Sequence, residues 1–158
     1  MSEQPSQDFA EILNQADDGW VRATGLRYTR ATREEVVAEL VVEHRHHQPY
    51  GIVHGGVHAG IIESLASVGA ALHALPEGKS VVGLENHTSF LRAVREGTLT
   101  ATARPVSVGR RSHVWEGAVR DASGRLVATG RVRLLILDEG AEIAGERVAV
   151  RGAPNADR

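Results

Sequence analysis

No cysteine occurs anywhere in the 158 residues. Disulfides, thiolate nucleophiles and Cys-ligated zinc are therefore excluded. Aromatic residues make up only 4% of the chain, so few rings are available to sandwich a planar ligand. Neither sign of charge dominates: the formal net charge is -2, which provides no electrostatic reason to bind DNA, RNA or an anionic membrane. Only a local basic patch for a small anion stays open. Long apolar runs are also missing, since the stretch 59–72 is interrupted by Glu63 and falls short of a membrane span. Residues 1–8 have neither the basic nor the apolar region of a secretory signal, and the expected location is the cytoplasm. What remains is a length suited to one domain, with an ordinary globular balance of 42% hydrophobic and 24% charged residues. Histidine is the one abundant functional residue, and His44, His46, His47, His54 and His58 cluster in sequence.

Periodicity divides the chain. Residues 8–18 fit a short helix with Phe9, Ile12 and Leu13 on one side, closed by Asp17, Asp18 and Gly19. Residues 20–30 and 34–43 fit two strands. Residues 44–56 hold Pro49, Gly51, Gly55 and Gly56 among histidines and have no clean period, as expected of a loop. Then the period becomes 3.6. Ile61, Leu65, Val68 and Leu72 form an apolar stripe, with Ala59, Glu63, Ala66, Ser67 and Ala70 opposite. Those opposite residues are nearly all small and let another backbone come close, so the helix is expected to be buried on both sides until Pro76 and Gly78 stop it. Four strands follow at 81–94, 98–108, 111–120 and 125–137, read as an antiparallel meander. Pro105 requires a bulge or an edge in its strand. One face of such a sheet needs a cover, and 56–75 is the only long apolar helix. The expected class is α+β, a curved antiparallel sheet wrapped around a long central helix. The expected division is an N-terminal segment with a short helix over 1–19, a domain over 20–140, and a tail over 141–158 that is disordered at least at its end.

Glu63 is the only ionisable residue between Ala59 and Leu72. A lone carboxylate on a doubly buried helix is costly and needs hydrogen bonds to hold it ionised. Ser67, one turn further on the same face, can donate one. The plain alternative is a solvated Glu on an exposed stripe. His54, Gly55 and Gly56 stand where the helix begins. First-turn N–H groups have no intrahelical acceptors, glycine permits close approach, and the helix dipole is positive there. A carbonyl placed at that point meets the geometry of an oxyanion hole; the plain alternative is a tight loop-to-helix junction with a structural His54. At a rise of about 1.5 Å per residue Glu63 lies roughly 12 Å from Gly55. One chain cannot readily bring both to one carbonyl, which favours a site shared between two-fold related chains. A zinc site from His44, His46, His54 and Glu43 can be drawn on paper, but no histidine pair has the i,i+4 spacing with an adjacent Glu of metallohydrolases.

The run from Gln48 through Pro49, Tyr50, Gly51, Ile52, Val53 and His54 to Gly55 and Gly56, followed by Glu63 and Ser67, resembles the PaaI-type hot-dog thioesterases. Within that group it is most similar to the Arthrobacter-type 4-hydroxybenzoyl-CoA thioesterases and to the 1,4-dihydroxy-2-naphthoyl-CoA and enterobactin-pathway proofreading thioesterases. The similarity continues through Glu85, Asn86 and His87, residues 105–111, and Val114, Trp115 and Glu116, covering about residues 20–137. The resemblance implies a hot-dog fold and hydrolysis of an acyl-CoA substrate. It implies Glu63 as nucleophile or general base, Gly55 N–H polarising the thioester carbonyl, Gln48 and His54 shaping the site, and Ser67 positioning water or the carboxylate. It implies no metal and no cofactor, and homodimers or homotetramers with active sites at the subunit interface. Wider relatives use Asp and Asn where this chain has Glu63 and Gln48. The tail beyond Leu137 is longer than the family core requires.

The chemistry fits these residues. A thioester has an electrophilic carbonyl and a good leaving group, so hydrolysis needs charge stabilisation on oxygen plus a nucleophile or an activated water. Coenzyme A carries phosphates, and Arg92, Arg95, Arg110 and Arg111 are candidates to hold them, against the alternative of solvated turn arginines. The acyl group ranges over benzoyl, phenylacetyl, naphthoyl and medium-chain acids. The competing class is a non-catalytic hot-dog acyl-CoA-binding or assembly protein, against which Glu63 with Gln48, Gly55 and Ser67 argues. The His and Asp or Glu arrangement of hot-dog dehydratases is not found.

Overall fold

The two periods, 3.6 and 2, resolve into one long helix and one six-stranded sheet. The computed structural model describes residues 6–15 and 19–148. In chain order the elements are α1 (Ala10–Leu13), α2 (Gly19–Thr24), β1 (Arg27–Ala31), β2 (Val36–Val41), α3 (Gly55–Ala74), β3 (Ser80–Phe90), β4 (Thr98–Val108), β5 (Ser112–Arg120) and β6 (Leu126–Leu137), then a small hairpin of β7 (Glu142–Ile143) and β8 (Glu146–Arg147). The sheet is antiparallel, in the order β1-β2-β4-β5-β6-β3, and it curves around α3 in the hot-dog arrangement. Burial alternates along β4 and β5, so that Leu99, Ala101 and Ala103, then His113, Trp115 and Val119, are buried.

Helix α3 buries Ile61, Ile62, Leu65, Ala66, Gly69 and Ala70. Its small residues mark where rings lie against the backbone. A Cβ on Gly69 would stand 2.2 Å from Cη2 of Trp115, and one on Gly60 would stand 2.4 Å from Cζ2 of Trp20. These approaches are made by rings of β5 and α2 at Gly69 and Gly60, and not by another backbone on the face of Ala59, Ala66, Ser67 and Ala70 where the small residues led one to expect it. With the turn that follows it the helix runs 23 residues, Gly55–Glu77, long and apolar enough to cross a membrane by length and composition. The apolar run 59–72 understated that length. Its core face is packed on the sheet, with Ile61, Ile62 and Leu65 at most 1% exposed.

Two expectations change. Residues 20–24 are not strand but belong to α2, which lays Trp20 on α3. The Thr24 hydroxyl donates back to the Trp20 carbonyl at 2.8 Å, and Gly25 (φ 75°) ends the turn, so period 2 holds only from Leu26 onward. The four-strand meander is a meander of three, β4-β5-β6, because β3 pairs with β6 at the far edge. Residues 91–97 make that crossing. Three strand spacings are roughly 14 Å, within the roughly 24 Å reach of seven extended residues. Residues 141–148 of the expected tail form the β7–β8 hairpin, through a two-residue turn with positive φ at Ala144 (53°) and Gly145 (82°). The rest of the expected tail, 149–158, where disorder is expected at least at the end, and the turn at Asp17 and Asp18 lie outside the described residues.

Pro105 sits at a register shift between Pro105 and Ser107, beyond the Val36–Ala103 pair where β2 leaves β4, as its missing donor requires. The two sheet edges differ. The β1 edge is covered by the N-terminal segment: Phe9 N–H donates to the Ala31 carbonyl, Asp8 Oδ1 accepts from Ala31 N–H, and Asn14 both donates to and accepts from the Tyr28 backbone. The outer edge of β3, eleven residues long, has no backbone partner among the described residues.

Candidate active site

The loop before α3 is built by its turn residues. Pro49 and Tyr50 form a turn closed by Gly51 N–H donating to the Gln48 carbonyl at 2.9 Å, with Gly51 at φ 68°. The loop is tied to the 91–97 crossing. Val53 N–H donates to the Val94 carbonyl at 2.8 Å. Arg95 Nη1 donates to the carbonyls of Tyr50 and Gly51 at 3.0 and 3.1 Å, and the Arg95 carbonyl accepts from His47 Nε2 at 2.8 Å. The crossing segment therefore holds the loop that carries Gln48 beside the start of α3.

His54 is the N-cap. Its Nδ1 accepts from Gly56 N–H at 2.8 Å, and its carbonyl accepts from Val57 N–H at 2.9 Å. Gly55 N–H is left without an acceptor among the described residues. Gly55 borders a concavity of about 240 Å³ together with Gln48, His58, Phe90 and Arg92. A Cβ at Gly55 would stand 2.8 Å from Cε2 of Phe90. His58 is 3% exposed, and its Nδ1 is buried without a hydrogen bond. Burial pushes its pKa below the usual imidazole value.

The other histidines separate by role. His46 is buried, accepts from Glu43 N–H at Nδ1 (2.8 Å), and donates from Nε2 to the Thr24 carbonyl (2.8 Å), so its ring is fully used in holding the loop. Among the described residues no group of three His, Asp or Glu converges as a metal site, and the paper site of Glu43, His44, His46 and His54 is not assembled.

Glu63 lies two turns along α3, half-buried, and does not border the concavity at Gly55. Asn86 Nδ2 donates to its Oε2 at 3.0 Å. The donor expected from Ser67 is not used, and Ser67 makes no hydrogen bond to Glu63. On the other side a Cβ at Gly83 would stand 2.3 Å from Glu63 Oε1, so the carboxylate packs against bare backbone. Both contacts come from one irregularity in β3. Gly83 pairs with Leu134 and Glu85 with Arg133, which leaves Leu84 as an extra residue. The bulge inverts the alternation, so Gly83, Asn86 and Phe90 all face α3. Glu85 faces outward onto Arg133 (3.4 Å), and His87 joins Glu116 and Arg131 on the outer face. Of the four arginines, Arg92 borders the concavity and donates to the Leu126 carbonyl at 2.7 Å, and Arg95 braces the loop. Arg110 and Arg111 are exposed at the β4–β5 turn, with no side-chain hydrogen bond or ion pair among the described residues.

Gln48, His54, Gly55 and Arg92 thus gather at the helix start, while Glu63 stands apart under β3 and Ser67 lies one turn further along α3. Sequence reasoning missed Gly83, Asn86 and Phe90. Asn86 lies within a segment whose similarity is legible, but which residue of Glu85, Asn86 and His87 meets the helix depends on the bulge.

The sequence pattern of the thioesterase superfamily matches residues 50–128. The chain is 37% identical over 128 residues to the proofreading thioesterase EntH of Cronobacter sakazakii, covering 80% of this chain and 93% of that one. The crystal structure of a thioesterase from Haemophilus influenzae superposes with a TM-score of 0.77 and 35% identity, over 82% of this chain and 90% of that one. AziG of S. sahachiroi superposes with a TM-score of 0.73 and 41% identity, over 77% and 98%.

Proposed function

The chain belongs to the thioesterase superfamily, and from that premise we propose that it hydrolyses acyl-CoA thioesters with Glu63 as the catalytic carboxylate and Gly55 N–H polarising the carbonyl. The observation that carries the reading is the Gly55 N–H, left open by the His54 cap at a residue that borders a concavity together with Gln48. A thioester oxygen there gains a backbone donor and the positive end of α3 as negative charge develops on it. Gln48 and His54 shape the surroundings of the carbonyl and sulfur, and Ser67 orders water near Glu63. Glu63 attacks the carbonyl or takes a proton from water. Arg92, Arg95, Arg110 and Arg111 are the CoA-facing cations, of which Arg110 and Arg111 have guanidinium groups unpaired among the described residues and available to phosphate. The substrate is an aryl- or other small acyl-CoA, as in the Arthrobacter-type and dihydroxynaphthoyl-CoA branch of the PaaI-type enzymes, and the reaction belongs in the cytoplasm. The test is free thiol release from a panel of benzoyl-, hydroxybenzoyl-, phenylacetyl-, naphthoyl- and medium-chain acyl-CoA esters. We expect turnover with the highest kcat/KM on an aryl member; no release above the blank from any member defeats the reading.

The same reading requires a second chain. Gly55 and Glu63 lie roughly 12 Å apart along one unbroken helix, and a concavity of about 240 Å³ is smaller than the roughly 300 Å³ and upward that encloses a small ligand. The open β3 edge, with Leu84 51% exposed, lies directly over Glu63 and supports a two-fold partner there, with the Gly55 N–H and the Glu63 of one site coming from different chains. We expect light scattering at micromolar concentration to give a homodimer or homotetramer. A particle of 16.9 kDa, the mass of one chain, overturns the shared site.

A further inference from the structure

Glu63 is held by a side chain on a different element. Asn86 Nδ2 carries two hydrogens and both are used. One goes to Glu63 Oε2 at 3.0 Å, and the other to the carbonyl of Ala59, one turn earlier on α3, also at 3.0 Å. Asn86 Oδ1 accepts from the Thr88 hydroxyl at 2.6 Å. A carboxylate and a carbonyl can only accept, and a hydroxyl can donate, so this network admits one orientation of the amide. Gly83 closes the opposite side of the carboxylate, where a Cβ would meet Oε1 at 2.3 Å. Oε2 is thus engaged, and Oε1 is the oxygen with no hydrogen bond among the described residues.

We propose that Asn86 is the positioning residue for the Glu63 carboxylate, locking its rotamer against α3 through Ala59 and being locked in turn by Thr88, so that the carboxylate is held in one orientation for reaction. This rests on Glu63 being the catalytic carboxylate. Three of the four participating groups, Gly83, Asn86 and Thr88, lie on β3 around its bulge, so the placement depends on the strand and not on α3 alone. A carboxylate that has to act on one atom of a bound thioester loses rate steeply when it is free to swing. A misplacement of about 1 Å costs up to about a hundredfold.

The experiment compares steady-state kinetics on one good acyl-CoA substrate for the wild type, Asn86→Ala, the isosteric Asn86→Asp, Glu63→Gln and the double variant Glu63→Gln with Asn86→Ala. Thermal unfolding verifies that each is folded. Asn86→Ala is expected to lower kcat about 10- to 100-fold with KM changed less than about threefold, since the group touches Glu63 and not the substrate. Asn86→Asp keeps the shape, removes the donor and sets a second carboxylate against Glu63, so it is expected to lose at least as much and serves as the test if the alanine variant does not fold. In the Glu63→Gln background the Asn86 substitution is expected to change the residual rate by less than about twofold, because a residue that acts through Glu63 has nothing left to act on. Wild-type kcat in both Asn86 variants, or an equal loss in the two backgrounds, overturns the proposal while leaving Glu63 catalytic. Near wild-type turnover by Glu63→Gln overturns the catalytic reading, and the proposal with it.

Discussion

Glu63→Gln is expected to lower kcat by at least about a hundredfold, within the range for losing a general base or nucleophile. Glutamine keeps the size of the side chain, and its amide is a poor nucleophile and takes no proton from water at neutral pH. Its carbonyl oxygen still accepts from Asn86 Nδ2, so the local geometry is preserved and the measurement isolates the charge. Binding of acyl-CoA is expected to survive, because Gly55 N–H, Gln48 and the arginines are untouched. Folding is expected to survive as well, since removing a half-buried charge while keeping the shape seldom costs stability. The check is kcat and KM for a good acyl-CoA, alongside a direct binding measurement. A folded variant with near wild-type turnover would sink the mechanism. Loss of binding in step with turnover would instead make Glu63 a substrate contact.

The second large effect falls on stability. Trp115→Ala is expected to cost about 3–5 kcal/mol, the range for deleting a large buried aromatic side chain. Trp115 is fully buried on β5, and its ring lies over Gly69 of α3 with Cη2 2.2 Å from where a Cβ would be. The helix is scalloped at Gly69 to admit that ring, so little is nearby to collapse into the space it leaves. For a chain of this size the loss corresponds to a fall in Tm of roughly 6–20 °C, against a total stability of about 5–15 kcal/mol. Gly69→Ala approaches the same contact from the helix side and is expected to cost about 1–3 kcal/mol by overpacking. Calorimetry or urea unfolding reads both. A Trp115→Ala loss below about 1 kcal/mol would mean that the helix-to-sheet contact is not centred on this ring.

Much of the site is local and could be read from residue order. The His54, Gly55 and Gly56 junction announces a helix start with accessible backbone, and the structure has Gly55 N–H open there because His54 caps its neighbour Gly56. The isolation of Glu63 on its helix was visible too, as was the need for a hydrogen-bond donor to it, but the donor came from 23 residues away instead of from Ser67 one turn along. Helical spacing predicts only neighbours on the same helix. The histidine cluster shows the same limit: nearness in sequence suggested a shared purpose, and the fold gave His46, His47, His54 and His58 four different environments.

The sequence by itself determined the helix over most of 55–74, the strands β2 to β6 within a few residues, the bulge or edge that Pro105 needs, and the wrapping of sheet around helix. Each of these follows from a short-range rule: the period of apolar residues, the missing donor of proline, or the need of one apolar face for another. Only the tertiary structure decided that β3 joins β6 instead of β4, since seven residues can either turn back or cross over. Only it decided that residues 20–24 coil to lay Trp20 on Gly60. It also decided that Asn86, and not Glu85 or His87, meets Glu63. Strict alternation from Gly83 would have turned Glu85 and His87 toward the helix. The single extra residue at Leu84 reverses that, and a bulge is set by the pairing of two strands some fifty residues apart, which no window along one of them contains.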